Sequence, residues 1–191
     1  PLEGGKLKKV FRLVAVVAAA VMAATAFVAP ATAASKVKVG LAYDIGGRGD
    51  KSFNDSAAAG LDLAKKKFGV KAKEITVTTG SDSEREDKLR LLAKAGYNPI
   101  IAVGFLYAGP IKAVAADYPN VQFGIIDDAS VDLLNVASLV FAEEQGSYLA
   151  GVAAALGSKS GKIGYIGGVR TPLLQKFEAG FVAGVKATKK S

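Results

Sequence analysis

VKVGLAYDIGGRGDKSFND, residues 37–55, has the pattern of a buried strand, an acidic residue, a glycine-rich turn and the start of a helix. Units of this kind build α/β sheets, in which ligands bind beyond the carboxyl ends of the strands. The segment therefore predicts that Asp44, Phe53 and Asn54 lie at a ligand-binding edge of a sheet.

The remainder of the chain continues the alternation of apolar strands and amphipathic helices. Strands are predicted at 37–43, 74–79, 100–104, 121–127, 137–141 and 162–167. Helices are predicted at 52–68, 81–95, 110–118, 143–156 and 172–186. Continuous apolar strands separated by helices indicate a parallel sheet covered on both faces.

Composition excludes several classes of function. The 191 residues contain neither Cys nor His, which removes Ser-His-Asp and Cys-His nucleophiles and Cys/His zinc sites. The net charge is +8, but the basic residues are scattered and do not alternate with aromatic residues along one face. The sequence thus predicts no metal or cofactor and no nucleic-acid binding. We also expect no enzymatic activity; an enzyme on a Rossmann-like fold is the alternative, which the absence of His and an incomplete dinucleotide-binding glycine pattern disfavour.

The amino-terminal segment has the pattern of a secretory signal peptide over residues 1–34. Basic residues at Lys6, Lys8, Lys9 and Arg12 precede an apolar run over 13–28, and Ala31-Thr32-Ala33 fits an A-x-A cleavage site. We therefore expect cleavage after Ala33 and export to the periplasm or the outer face of the cytoplasmic membrane. A retained membrane anchor is the alternative.

Four residues are candidates for contact with a ligand at the sheet edge. Asp44 and Asp127 end two strands, and Phe53 and Asn54 begin the first helix. Carboxylates accept hydrogen bonds from hydroxyls, an amide both donates and accepts, and an aromatic face stacks on a flat ring. Each also has a purely structural interpretation: Asp44 and Asp127 as turn residues, Phe53 as a core residue, and Asn54 as an ordinary first-turn residue.

Five blocks of sequence resemble the basic membrane protein family, the PnrA-like purine nucleoside-binding proteins of ABC transporters. The first is the segment 37–55 quoted above. The others are GYNPIIAVGF (96–105), YPNVQFGIIDD (118–128), FAEEQGSYLAG (141–151) and KIGYIGGVRTPLLQKFEAGFVAGVK (162–186). Many relatives in this family are anchored through a lipobox Cys, which this sequence lacks.

The resemblance implies a type I periplasmic-binding-protein fold with two Rossmann-like lobes around a cleft. Residues 36–138 would form the amino-terminal lobe, and residues 139–191 the start of a carboxyl-terminal lobe that is incomplete. By matching motif, the ligand residues would be Asp44, Phe53, Asn54 and Asp127, the family's other ligand residues lying beyond Ser191.

The function implied is that of a monomeric, non-catalytic binding protein that delivers a nucleoside, expected to be a purine, to an ABC permease at the membrane. Two alternatives stay open. One is a protein of the same fold that carries riboflavin or a sugar. The other is the ligand-sensing domain of a regulator, which the signal-like segment and the absence of a helix-turn-helix before Val37 disfavour.

Overall fold

A computed structural model describes residues 37–188 of the chain, and the predicted signal peptide lies outside them. Within the described residues, five parallel strands form one sheet in the order β2–β1–β3–β4–β5. They are β1 Lys38–Tyr43, β2 Lys71–Thr76, β3 Ile100–Val103, β4 Phe123–Ile126 and β5 Val136–Leu139. The predicted parallel α/β architecture is confirmed.

Three helices connect the first four strands: α1 Phe53–Phe68, α2 Asp82–Lys94 and α3 Ala108–Asp117. Two more helices follow β5: α4 Glu143–Gly157 and α5 Pro172–Thr188. Helix α1 ends where Gly69, at φ 63°, turns its backbone N–H back to the carbonyl of Lys65. That left-handed conformation favours glycine. A 3₁₀ turn, Phe105–Tyr107, leads from β3 into α3.

The core lies on both faces of the sheet. On the face covered by α2 and α3, strand residues such as Ala102 and Ile125 pack with Leu89 and Ile111. On the other face, alternate strand residues pack against α1, forming a smaller cluster of Leu41, Tyr43, Ala58, Leu61 and Val103. Because successive strand side chains point to opposite faces, the same apolar strands supply both clusters.

Two predicted strands differ from the structure. The second strand begins three residues earlier than predicted, because its register is set by pairing with β1 from Lys38 opposite Lys71 to Tyr43 opposite Thr76. The segment 162–167 was predicted as a strand but is irregular, and it pairs with no strand among the described residues. An isolated apolar segment has no neighbour to accept and supply the hydrogen bonds of a ladder.

Helices α4 and α5 pack with their backbones in close approach. Gly151, Gly180 and Gly184 lie at the contact, where an added Cβ would collide with the carbonyl oxygens of Phe181, Glu144 and Tyr148, respectively. The Ser147 hydroxyl also donates to the carbonyl of Phe177, at 2.6 Å. These three positions require glycine because any side chain would collide with the backbone of the facing helix.

The helices described between residues 37 and 188 include none with the length and hydropathy that crossing a bilayer requires.

Candidate functional site

Asp44 stands directly after β1 and is held at both its backbone and its side chain. Its backbone N–H donates to Asn54 Oδ1 at 3.3 Å. Its Oδ1 accepts from Arg85 Nη2 at 2.7 Å. The other oxygen, Oδ2, faces the start of the loop after β3, where a Cβ on Gly104 would lie 3.7 Å away. The carboxylate thus lies between β1 and β3, where the strand order of the sheet reverses.

Arg85, on α2, is the largest fully buried side chain among the described residues, with 2% of its surface exposed. Besides Asp44, its guanidinium donates to the carbonyl of Gly80 and lies 3.5 Å from a carboxylate oxygen of the exposed Asp82. It also stands over the ring of Tyr107, 5.5 Å from the ring centroid. Its Nε has no hydrogen-bond partner among the described residues.

Asn54 is 3% exposed, and its amide is turned into the loop that follows β1. Besides accepting from Asp44, it brings its Nδ2 to 3.5 Å from the carbonyl of Ile45, at the limit of a hydrogen bond. In this arrangement Asn54 fixes the loop that carries Asp44, and its role as a ligand contact stays a prediction.

Phe53 and Asp127 line one cavity of about 380 Å³. Phe53 is 44% exposed, so it is not a core residue, and its ring meets that of Phe141 edge to face at 5.9 Å. The remaining walls come from the segment after β5 and from α4 and α5: Phe141, Glu143, Gly146, Ser147, Ala150 and Phe177. The cavity thus combines aromatic rings with two carboxylates.

Asp127 directly follows β4 in a left-handed backbone conformation, at φ 73°, which aspartate tolerates better than most residues. Its N–H donates to the carbonyl of Leu139 at 2.8 Å. Partial burial, and next the negative charges of Glu143 and Asp128, raise the pKa of Asp127 above its ordinary value, against the opposing effect of Lys176. A negative charge on Asp127 is therefore less favourable here than on an aspartate in water.

Glu143 starts α4 and is 6% exposed. Burial acts to raise the pKa of its carboxyl. Hydrogen bonds from its own backbone N–H and that of Phe141, together with Lys176, prevail and lower it. The Lys176 Nζ lies 3.3 Å from Glu143 Oε2. These surroundings therefore favour the charged form of Glu143, and its ion pair with Lys176 links α4 to α5.

In the loops after β1 and β2, backbone N–H groups donate hydrogen bonds to carboxylates of the chain itself. Asp50 accepts from the N–H groups of Ser52, Asn54 and Asp55, and Asp55 from those of Gly49 and Lys51. After β2, Glu84 accepts from the N–H groups of Thr78, Thr79 and Gly80. The Thr79 hydroxyl and these amides lower the pKa of Glu84 to about 2.

The structure brings the four predicted residues to one edge but in two settings. Phe53 and Asp127 share the cavity, whereas Asp44 and Asn54 belong to the adjoining hydrogen-bonded loop. The sequence analysis missed Arg85 as the partner of Asp44, and Phe141 and Glu143 as cavity residues. The last two follow β5 directly, so the rule that ligands bind beyond the carboxyl ends of strands would have found them.

Comparison with known proteins gives a consistent result. The profile of the Bmp family, described as "ABC transporter substrate-binding protein PnrA-like", matches residues 36–191. The chain is 38% identical over 157 residues to a CD4+ T-cell-stimulating antigen of Listeria monocytogenes, covering 78% of this chain and 43% of that protein. It is 36% identical over 156 residues to the ABC transporter nucleoside-binding protein BmpA of Lactococcus lactis, covering 80% and 44%.

Solved structures extend the similarity to the fold. An ABC transporter solute-binding protein from Aeropyrum pernix matches with a TM-score of 0.68 and 34% identity, over 80% of this chain and 43% of that one. The lac repressor dimer matches with a TM-score of 0.59 at 18% identity, which shows a shared fold only. The described α/β sheet is therefore that of type I solute-binding proteins. The chain spans a little over two fifths of the length of the curated relatives it matches.

Proposed function

The chain belongs to the Bmp family of PnrA-like ABC transporter substrate-binding proteins, and from this membership we propose that it forms the nucleoside-binding part of an extracytoplasmic solute-binding protein. In this proposal the protein binds a purine nucleoside without altering it and delivers it to an ABC permease. It acts as a monomer on the outer side of the cytoplasmic membrane, after cleavage behind Ala33.

The observation that carries the proposal is the cavity, which is lined by three aromatic residues, Phe53, Phe141 and Phe177, and by two acidic residues, Asp127 and Glu143. Aromatic faces stack on a flat heterocycle, and carboxylate oxygens accept from hydroxyls and ring N–H groups. A purine nucleoside offers both features at opposite ends of one molecule. The Lactococcus relative is named as a nucleoside-binding protein, which supports the same ligand class.

The occupied loop amides favour a nucleoside over a nucleotide. Phosphate sites in α/β folds use free backbone N–H groups at a helix amino terminus. Here Asp50 and Asp55 fill those groups before α1, and Glu84 fills those before α2. A phosphate at either loop would meet a carboxylate in place of a donor, so an uncharged ligand suits this edge better.

A direct test is a ligand panel measured by isothermal titration calorimetry and by NMR titration of the backbone amides, using the chain from Ala34 onward. The panel contains inosine, guanosine, adenosine, cytidine, inosine monophosphate, riboflavin and ribose. We expect purine nucleosides to bind most tightly, with the largest amide shifts at Phe141, Glu143 and Ser147. Preference for riboflavin or ribose would transfer the proposal to one of the alternative cargoes. Conversion of any nucleoside, or no binding of any, would overturn it.

A further inference from the structure

The buried guanidinium of Arg85 forms an ion pair with Asp44, a partly exposed acidic residue at the carboxyl edge of the sheet. Arg85 is 2% exposed, whereas the Asp44 side chain that it contacts keeps 26% of its surface exposed. The pair thus connects the interior below α2 to the surface that a ligand would reach. A buried ion pair is by itself weak evidence for stability, so its place at this edge calls for a different explanation.

The contacts divide the two carboxylate oxygens of Asp44 into different roles. Oδ1 is engaged by Arg85 Nη2 at 2.7 Å. Oδ2 has no protein donor among the described residues and faces the space over Gly104. The Asp44 backbone N–H donates to Asn54, so hydrogen bonds hold both the backbone and the side chain of Asp44.

Building on the proposed function, we propose that Arg85 is a positioning residue for ligand recognition, which fixes the Asp44 carboxylate so that Oδ2 accepts a ribose hydroxyl of the nucleoside. Arg85 does not touch the ligand. Its planar fork holds Asp44 through one nitrogen and the Gly80 carbonyl through the other, which a flexible ammonium cannot reproduce. A pre-oriented acceptor loses less freedom when the ligand binds.

The test compares ligands that differ only in their hydroxyls. Dissociation constants for inosine, 2′-deoxyinosine, 3′-deoxyinosine and 2′,3′-dideoxyinosine are measured by NMR titration for the native chain and for Arg85→Lys and Arg85→Met. The control is Arg90→Met, which removes another arginine of α2 whose ion pair with Asp117 lies on the surface. Circular dichroism verifies that each variant is folded.

In the native chain we expect loss of the recognised hydroxyl to weaken binding about tenfold or more, in line with one hydrogen bond to a charged group. In Arg85→Lys that discrimination falls at least threefold, and in Arg85→Met it approaches unity, while Arg90→Met leaves it unchanged. A purely structural arginine would weaken all four ligands equally. Discrimination retained within twofold in Arg85→Lys would overturn the proposal, even if Arg85→Met fails to fold.

A readout without ligand separates this inference from the function on which it rests. The unfolding free energies of Asp44→Asn, Arg85→Lys and the double variant form a cycle that measures the coupling between the two side chains. Coupling together with hydroxyl discrimination supports positioning. Additive effects would overturn it whatever the ligand does. If the coupling is present but the native chain binds no nucleoside, the proposed function fails and Arg85 is a structural residue only.

Discussion

The sheet region, residues 37–139, and the helix pair α4–α5 are stabilised in different ways. The sheet region buries large side chains in two clusters, and its one buried arginine is paired. The helix pair is joined through glycines whose backbones nearly touch, and it leaves Leu149 and Leu156 68% and 74% exposed. One region therefore depends on side-chain chemistry, whereas the other depends on the absence of side chains at three positions.

The cavity lies where these two regions meet. Phe53 and Asp127 belong to the sheet region, whereas Glu143, Ser147 and Phe177 belong to the helix pair. Any change in how the helix pair lies on the sheet would therefore change the cavity. The following substitutions act first on each region alone and then on their junction.

The largest effect is expected from Asp44→Ala in the sheet region. It leaves the Arg85 guanidinium buried without its carboxylate, and removal of one partner of a buried pair costs about 3–5 kcal/mol of stability. Because the Asp44 side chain is partly exposed, we expect the lower end of that range, about 3 kcal/mol, by urea unfolding.

The matched control is Asp128→Ala. Among the residues that the structure describes, Asp128 accepts from the Ser130 N–H and hydroxyl in a local turn. These hydrogen bonds are exposed to water, so their loss costs about 1 kcal/mol. Equal losses for the two aspartates would show that the Arg85 pair adds nothing to stability.

Gly151→Ala tests the helix pair and should have the next largest effect. A methyl group at position 151 collides with the Phe181 carbonyl, so the helices must separate, and overpacking of this kind costs about 1–3 kcal/mol. Gly146→Ala is the control on the same helix, where an added Cβ meets no atom within 4 Å. There the better helix propensity of alanine should stabilise by about 0.5–1 kcal/mol.

Opposite signs for these two glycine substitutions in urea unfolding would confirm that backbone approach holds α4 to α5. Stabilisation by both would mean that the contact at Gly151 relaxes without cost.

The sequence predicted the parallel sheet well because its strands are short apolar runs between clear helix signals. The predicted position of β2 was wrong because residues 75–79 are β-branched and favour a strand there. In the structure this edge strand begins at Lys71. Lysines suit an edge strand, since they protect it from pairing with other chains. Only the register with β1 reveals that start.

The site was predictable in part for a similar reason. Asp44 and Asp127 are visible as the acidic residues that end two strands. Arg85 lies in the charged run SEREDK, which has the pattern of a solvated helix face, and nothing local shows that it is buried. Its partner is 41 residues away, so the pair depends on how α2 packs over β1.

Phe53→Ala tests the junction of the two regions and should separate ligand binding from stability. Phe53 is 44% exposed and touches Phe141 through one edge-to-face contact, which contributes about 0.5–1.5 kcal/mol. We expect a stability loss within that range and a larger loss of affinity, about tenfold or more for inosine, since the ring is also a wall of the cavity. NMR titration and urea unfolding measure the two effects.

Phe68→Ala, at the other end of α1 and 67% exposed, is the control for that comparison. It lies outside the cavity, so it should leave inosine affinity unchanged. Equal loss of affinity in both variants would show that Phe53 acts through the helix and not as a wall of the site.

The smallest effect is expected from the charge of Asp127 at the same junction. Burial, and then Glu143 and Asp128, raise the pKa of Asp127 in the folded state, so folding favours its protonated form. This carboxyl therefore costs stability as the pH rises from its unfolded pKa through the raised folded one, and the cost is absent below both. Asp127→Asn should accordingly be more stable than the native chain at pH 7, and the advantage should disappear near pH 3. Urea unfolding at both pH values measures this stability difference, with the exposed Asp132→Asn as the control. A difference that is the same at pH 7 and pH 3 would show that other groups at the junction already compensate the charge of Asp127.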